Sequence, residues 1–283
     1  MIIAREISPL REQLTAWRLR GERIAFVPTM GNLHAGHLTL VERARSLADR
    51  VVASIFVNPL QFSPDEDLNA YPRTPAEDAD ALRRAGVDLL FLPDEQTIYP
   101  HGREQVTYVE VPALGEILCG ASRPGHFRGV TTVVCKLFNL VQPDLACFGQ
   151  KDFQQLAILR RMVRDLDIPV DMVGVETVRE ADGLAMSSRN GYLSPQQRAQ
   201  APALYRSLQS VADALRRGEK DFGQLESWGA QTLIEAGLKP DYFSIRCADG
   251  LTPPSRSCQG LIILAAAYLG RARLIDNLLV ERG

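Results

Sequence analysis

The chain of 283 residues is long enough for one large α/β domain and a smaller companion, since domains cluster near ~100–150 residues. With 46% hydrophobic and 23% charged residues it has the balance of a folded globular protein, not of a disordered one. A net charge of −2 lacks the basic excess of nucleic-acid binders, while leaving room for a local cationic site for phosphates.

Short apolar runs alternate with helical patterns. Residues 23–27 read as a buried strand, followed by a Gly/His-rich loop and a helix through 38–48. Residues 51–57 form the next strand by their β-branched content. Thr74-Pro75-Ala76-Glu77 predicts a helix start with a Thr cap, Pro in the first turn and Glu closing a capping box. That helix runs to Arg84 or Ala85, where Gly86 ends it, and 87–92 is a third strand. A helix over 130–141, a strand over 145–148, a helix over 153–166 and a strand over 170–175 follow. This alternation predicts an α/β fold: a Rossmann-like, doubly wound parallel sheet over residues 1–176. From 177 to 283 the pattern changes to a smaller α+β domain. It has a polar loop at 179–191, helices near 195–217 and 222–236, and strands at 242–248, 261–268 and 272–280, with Gly270 in a hairpin turn.

The five cysteines form no C-x-x-C pair and are odd in number, so reduced thiols are expected. Met1–Glu6 lacks the cationic start and long apolar run of a signal peptide. The apolar run at 261–269 is far short of the ~18–20 residues that span a bilayer. A cytoplasmic protein without membrane attachment is expected.

The most informative segment is Pro28-Thr29-Met30-Gly31-Asn32-Leu33-His34-Ala35-Gly36-His37, between the first predicted strand and helix. In a doubly wound sheet ligands bind where such loops lie. Gly31 and Gly36 let a nucleotide approach the backbone, and the helix start offers free N–H groups to phosphate. His34 and His37 fall on one side of the first helical turn, placed to donate hydrogen bonds to a phosphoryl group without adding a fixed charge. A zinc pair needs a third ligand, and no nearby His or Cys supplies one. Neither the P-loop nor the G-x-G-x-x-G pattern occurs here. Lys151 stands at a predicted helix start, where a cation is unfavourable unless an anion sits beside it. Met186-Ser187-Ser188-Arg189 combines hydroxyls with a guanidinium suited to phosphate oxygens.

The H-x-G-H pattern resembles the signature of the nucleotidylyltransferase superfamily. Four further segments narrow the resemblance to the pantothenate synthetase (pantoate–β-alanine ligase) family. They are Phe56-Val57-Asn58-Pro59-Leu60-Gln61-Phe62, Arg123-Pro124-Gly125-His126-Phe127-Arg128-Gly129, Cys147-Phe148-Gly149-Gln150-Lys151-Asp152-Phe153-Gln154-Gln155 and Met186-Ser187-Ser188-Arg189-Asn190. All five occur in the family's order and span nearly the whole chain. Two departures are Gln150 in place of Glu and Leu60 in place of Met.

The resemblance implies a ligase that makes a pantoyl adenylate from ATP and passes the acyl group to β-alanine. It implies catalytic roles for His37, His34 and Lys151, with His37 the proton donor. It implies ATP contacts from Met30, Gly31, His34, Gly36, His37, Gly149, Lys151, Asp152, Val178, Met186, Ser187, Ser188 and Arg189. Gln61 and Gln155 become pantoate ligands, with Asn58 a further member of the pocket and Gln61 also facing β-alanine. Mg2+ is expected with ATP, held mainly by the phosphates, with Asp78 a candidate helper. No role is assigned to Arg123 or His126. The partners are small molecules, and a homodimer is implied. Rival readings are another adenylyl- or cytidylyltransferase, which would lack the paired glutamines, and a non-catalytic nucleotide-binding module, which would not need both His37 and Lys151.

Overall fold

A computed structural model describes residues 1–63, 66, 68–255 and 258–281. The parallel sheet contains β1 (Ile2–Ala4), β2 (Ile24–Thr29), β3 (Arg50–Ile55), β4 (Leu89–Phe91), β5 (Leu145–Gly149) and β6 (Asp171–Val175). Its order is β1-β4-β3-β2-β5-β6, and every pair is parallel. The winding reverses at β2, which pairs with β3 on one side and β5 on the other. Crossover connections of this kind place helices on both faces. On one face α1 (Ile7–Arg18), α6 (His126–Val141) and α7 (Phe153–Asp165) bury Leu14, Val134 and Leu159. On the other, α2 (Ala35–Arg45) and α3 (Pro75–Ala85) bury Val41 and Leu82. Two short helices, α4 (Glu95–Ile98) and α5 (Cys119–Ser122), lie in the connection to α6.

The smaller unit packs α9 (Ala203–Arg216) and α10 (Phe222–Glu235) on an antiparallel sheet of β7 (Lys239–Cys247), β8 (Gly260–Leu269) and β9 (Ala272–Glu281). Gly270 turns the β8–β9 hairpin at φ 59°. The expected Rossmann-like sheet and smaller C-terminal sheet unit are both present. Among the described residues no helix is long and apolar enough to cross a membrane.

Four local expectations are corrected. β1 and α1 precede the first predicted strand; β1 is three residues long and pairs only with the distant β4, so nothing local announces it. The helix expected over 195–217 is two helices, α8 (Pro195–Gln200) and α9, parted at Pro202, which has no N–H for the ladder. Thr74 does not cap α3; its hydroxyl turns to the Asp78 carboxylate at 3.2 Å, and no capping box forms there. Gly86 does end that helix, at φ 85°. Finally, Cys247 and Cys258 are joined in a disulfide, while Cys119, Cys135 and Cys147 are free thiols. The return from β7 into β8 brings the two Cα atoms to 5.4 Å, within bridging range, although 11 positions of sequence separation give no local signature.

Candidate active site

The carboxyl ends of β2, β5 and β6 converge on a cavity of about 190 Å³. Met30, His34, Gly36 and His37 line it from the loop after β2 and the start of α2. Gly149, Lys151, Asp152 and Gln155 come from the end of β5 and the turn into α7. Val178, Met186, Ser187, Ser188 and Arg189 close the opposite wall. Pro28, Leu40, Tyr71, Phe148, Glu176 and Thr177 complete the lining; apart from Pro28 and Phe148, which stand in quoted motifs, none carried a signal of its own in the sequence.

The loop after β2 is held from below. Asp78, 3% exposed, accepts from the Asn32 and Leu33 N–H groups at 2.8 Å each and from the Thr74 hydroxyl. Its carboxylate thus holds the loop, and it is not on the cavity lining. Gly31 has φ 83°, and an added Cβ would lie 3.0 Å from both Asp78 Oδ2 and Ile55 Cγ2, so glycine fits on conformation and on space. Ser188 Oγ donates to Asn32 O at 3.0 Å, tying the serine loop to the histidine loop.

The two imidazoles have a defined tautomer. The Gly36 N–H donates to His34 Nδ1 at 3.2 Å, and the His34 N–H donates to His37 Nδ1 at 3.3 Å. Each Nδ1 accepts, so by the hydrogen-bond network each neutral ring carries its proton on Nε2. The rings stand 4.1 Å apart between centroids. Loss of hydration, then the Lys151 charge, pushes His34 down to about 4. Loss of hydration, then His34, pushes His37 down to about 3. Both are therefore neutral Nε2–H donors at pH 7. Lys151, with its side chain 18% exposed, lies 3.8 Å from Asp152 Oδ2.

Gln155 faces the cavity, and with Lys151 and Asp152 it also borders a smaller one of about 40 Å³. Its neighbour Gln154 is structural: it accepts from Cys119 N and donates to Leu114 O and Ile117 O. Gly31, Asn58 and Gln61 are not on the lining of the larger cavity. Gln61, 8% exposed, adjoins it by donating to the Met30 sulfur at 3.0 Å. Asn58, 1% exposed, lies behind Gln61 and is engaged throughout. Its Nδ2 donates to Gln61 Oε1 at 3.1 Å and Gly129 O at 3.0 Å, and its Oδ1 accepts from the Tyr99 hydroxyl at 2.7 Å.

Arg123 and His126 also serve this corner. His126 Nδ1 lies 2.8 Å from Gln61 O; a carbonyl only accepts, so the ring donates there and takes an Arg123 N–H at Nε2, 2.9 Å away. Loss of hydration, then the Arg123 charge, pushes His126 down to about 3. Arg123 grips Glu66 at 2.5 and 2.7 Å. Gly129 lets α6 start against the Pro59–Gln61 turn: a Cβ there would lie 2.2 Å from Leu60 O.

A Rossmann-like sheet with neutral imidazoles, a lysine and a serine–arginine loop around one cavity at its switch point is the architecture of a nucleotide-using enzyme. The comparisons with known proteins define it further. Residues 2–279 match the family model described as pantoate-beta-alanine ligase. A pantothenate synthetase of Shewanella baltica is 56% identical over 282 residues, covering 100% of both chains. The crystal structure of pantothenate synthetase from Thermus thermophilus superposes with a TM-score of 0.93 at 48% identity, covering 100% of both chains. The pantoate-beta-alanine ligase of Francisella tularensis, solved with beta-gamma ATP and beta-alanine, gives 0.83 at 36% identity, covering 100% of this chain and 99% of that one. The chain belongs to the pantoate–β-alanine ligase family. Its activity is the ATP-dependent condensation of pantoate with β-alanine to pantothenate through an adenylate.

Proposed function

We propose that this cavity is where the pantoyl adenylate forms, and that the side chains lining it divide the reaction as follows. Pantoate's carboxylate attacks the α-phosphorus of ATP in line, and pyrophosphate leaves. His37 and His34 donate hydrogen bonds from Nε2 to phosphate oxygens as neutral rings, since burial holds both well below their ordinary values. Lys151 and Arg189 offset charge on the phosphates, with Gly149, Asp152 and the Ser187 and Ser188 segment along the chain of phosphates. Met30, Gly36, Val178 and Met186 shape the nucleotide side, and Gly31 sets the turn of the loop that carries Met30. Gln155 and Gln61 bind pantoate through neutral amides, leaving its carboxylate nucleophilic; Gln61 also meets β-alanine. Asn58, with its amide fully engaged, acts through Gln61. The β-alanine amine then attacks the adenylate carbonyl and releases AMP, in a site that keeps water from the intermediate.

Mg2+ fits as a companion of ATP. Among the described residues no cluster of three metal-ligating side chains exists, and the cavity wall offers the single carboxylates Asp152 and Glu176. The ion would ride on the phosphates, touch Asp152, and neutralise charge there. A homodimer and a cytoplasmic location accompany the reading; light scattering on the purified protein and cell fractionation test them. The two domains divide near residue 176, just after β6, the last strand of the parallel sheet, ends at Val175.

The observation that carries the reading is the pair of Nδ1-accepting imidazoles facing Lys151 and Gln155 in one cavity. The test is ATP–pyrophosphate exchange without β-alanine. Exchange that requires pantoate is the expected result. Exchange without pantoate, or none with it, would refute the assignment.

A further inference from the structure

Lys151 and the Met186–Arg189 loop come from different parts of the chain, and one line of hydrogen bonds joins their supports. Asn277 lies on β9 and is 8% exposed. Its single amide nitrogen donates to two successive carbonyls, Gln150 O and Lys151 O, at 2.9 Å each. Those carbonyls belong to the 3₁₀ turn Gln150–Asp152 that carries Lys151. The Asn277 N–H donates to Asp276 Oδ1 at 2.8 Å. Asp276, 4% exposed, is gripped at both oxygens by Arg179, at 2.5 and 2.9 Å.

Arg179 leads into the serine loop. It bridges Ala185, donates to Gly183 O at 3.1 Å, and lies 3.6 Å over the Tyr205 ring. Next to it the Met186 N–H donates to Val178 O at 3.0 Å. Arg179, Asp276 and Asn277 do not line the nucleotide cavity; Asp276 and Asn277 border the smaller one beside Gln155. A buried ion pair and a buried amide inside a strand are costly unless fully partnered, and replacing them by apolar residues is often neutral or stabilising. Their placement makes sense if what they secure is geometry.

We infer that Arg179, Asp276 and Asn277 form a positioning strut that fixes the distance between Lys151 and the Met186–Arg189 loop, and so sets the rate of adenylation. The strut rests on the proposed role of Lys151 as a phosphate ligand. It stands outside the nucleotide cavity and acts on Lys151 through the backbone of its turn. Its loss therefore lowers the turnover of the first step while leaving pantoate's KM and the second step near those of the parent protein.

Asn277→Asp and Asn277→Leu both remove the donor at nearly constant size. Each should lower kcat for pantoate-dependent exchange by roughly 10- to 100-fold, the range that follows a misplacement of about 1 Å. Supplied pantoyl adenylate should still react with β-alanine at nearly the parent rate. Combined with Lys151→Ala, either change should add little, since the two act on one element. If Asn277→Leu does not fold, Arg179→Lys reports the same quantity, keeping the charge without the two-point grip. Undiminished exchange in Lys151→Ala alone would overturn the phosphate role of Lys151. Loss in Lys151→Ala with parent-like exchange in the Asn277 variants would overturn the strut. Equal loss in both half-reactions, tracking a lower melting temperature, would reduce Asn277 to a stability residue.

Discussion

Replacing Gly129 with alanine would place a methyl carbon 2.2 Å from Leu60 O, 2.4 Å from Leu60 C and 2.7 Å from the Gln61 nitrogen. All three are backbone atoms, so no side chain can swing aside. Reaching the ~3.3 Å of a close C–H···O contact requires α6 and the Pro59–Gln61 turn to part by roughly 1 Å. Overpacking of this kind costs about 1–3 kcal/mol. The same motion breaks the Asn58–Gly129 bond, at about 0.5–1.5 kcal/mol more. At 2–4 °C per kcal/mol, the melting temperature should fall by roughly 3–18 °C. The functional effect should be selective. Gln61 shifts with its turn, leaving pantoate groups unpartnered at about 1–3 kcal/mol, or roughly 5- to 150-fold in affinity. ATP should bind as before, because the loops at 34–37 and 186–189 are not displaced. Calorimetric titration with each ligand, well below the variant's melting temperature, measures both. Unchanged pantoate affinity, or an equal loss for ATP, would refute the link between Gly129 and Gln61.

His37→Ala should retain the fold and lose ~10²–10³-fold in pantoate-dependent exchange, the scale of a lost transition-state donor; near-normal exchange counts against it. Gln155→Leu should weaken pantoate by roughly 5- to 150-fold with ATP binding intact, as read by the same titration. Stability should fall with acid. His34, His37 and His126 are held down to about 4, 3 and 3, whereas the unfolded chain takes up their protons near pH 6.5. Their contribution is thus complete above pH 6.5 and lost progressively as pH falls toward the folded values. Urea unfolding of the parent and of His126→Gln between pH 7 and 5 should show a shallower fall in the variant; identical slopes would exclude His126. Exchange activity itself should show no limb near pH 6.5, because the imidazoles work neutral.

Much of this was legible because it is local. The alternating elements, the glycine after α3 and the H-x-G-H turn are set by neighbours in sequence. The loops after β2 and β5 meet at one cavity as a switch point predicts, whereas Gln155 and Arg189 were expected there only through the family resemblance. What escaped was long-range. Asp78 offers a carboxylate that sequence cannot show to be already engaged by Asn32 and Leu33. Asn58 resembles a pocket residue until Tyr99 and Gly129 are seen to occupy its amide. Pairing of Cys247 with Cys258 depends on the path between two strands. Asp276 and Asn277 did leave a trace, two polar residues interrupting an apolar strand, whose meaning required knowing what β9 lies against.

Asn277 is also made late. Synthesis runs from the amino end, so β1 through β6 are all available to pair before β9 exists. Until β9 docks, the Gln150 and Lys151 carbonyls lack the donor they have in the folded protein. A nascent chain can therefore carry the histidine loop on a closed sheet with no fixed lysine beside it, so that burial of the sheet and the onset of chemistry fall at different moments in the chain's manufacture.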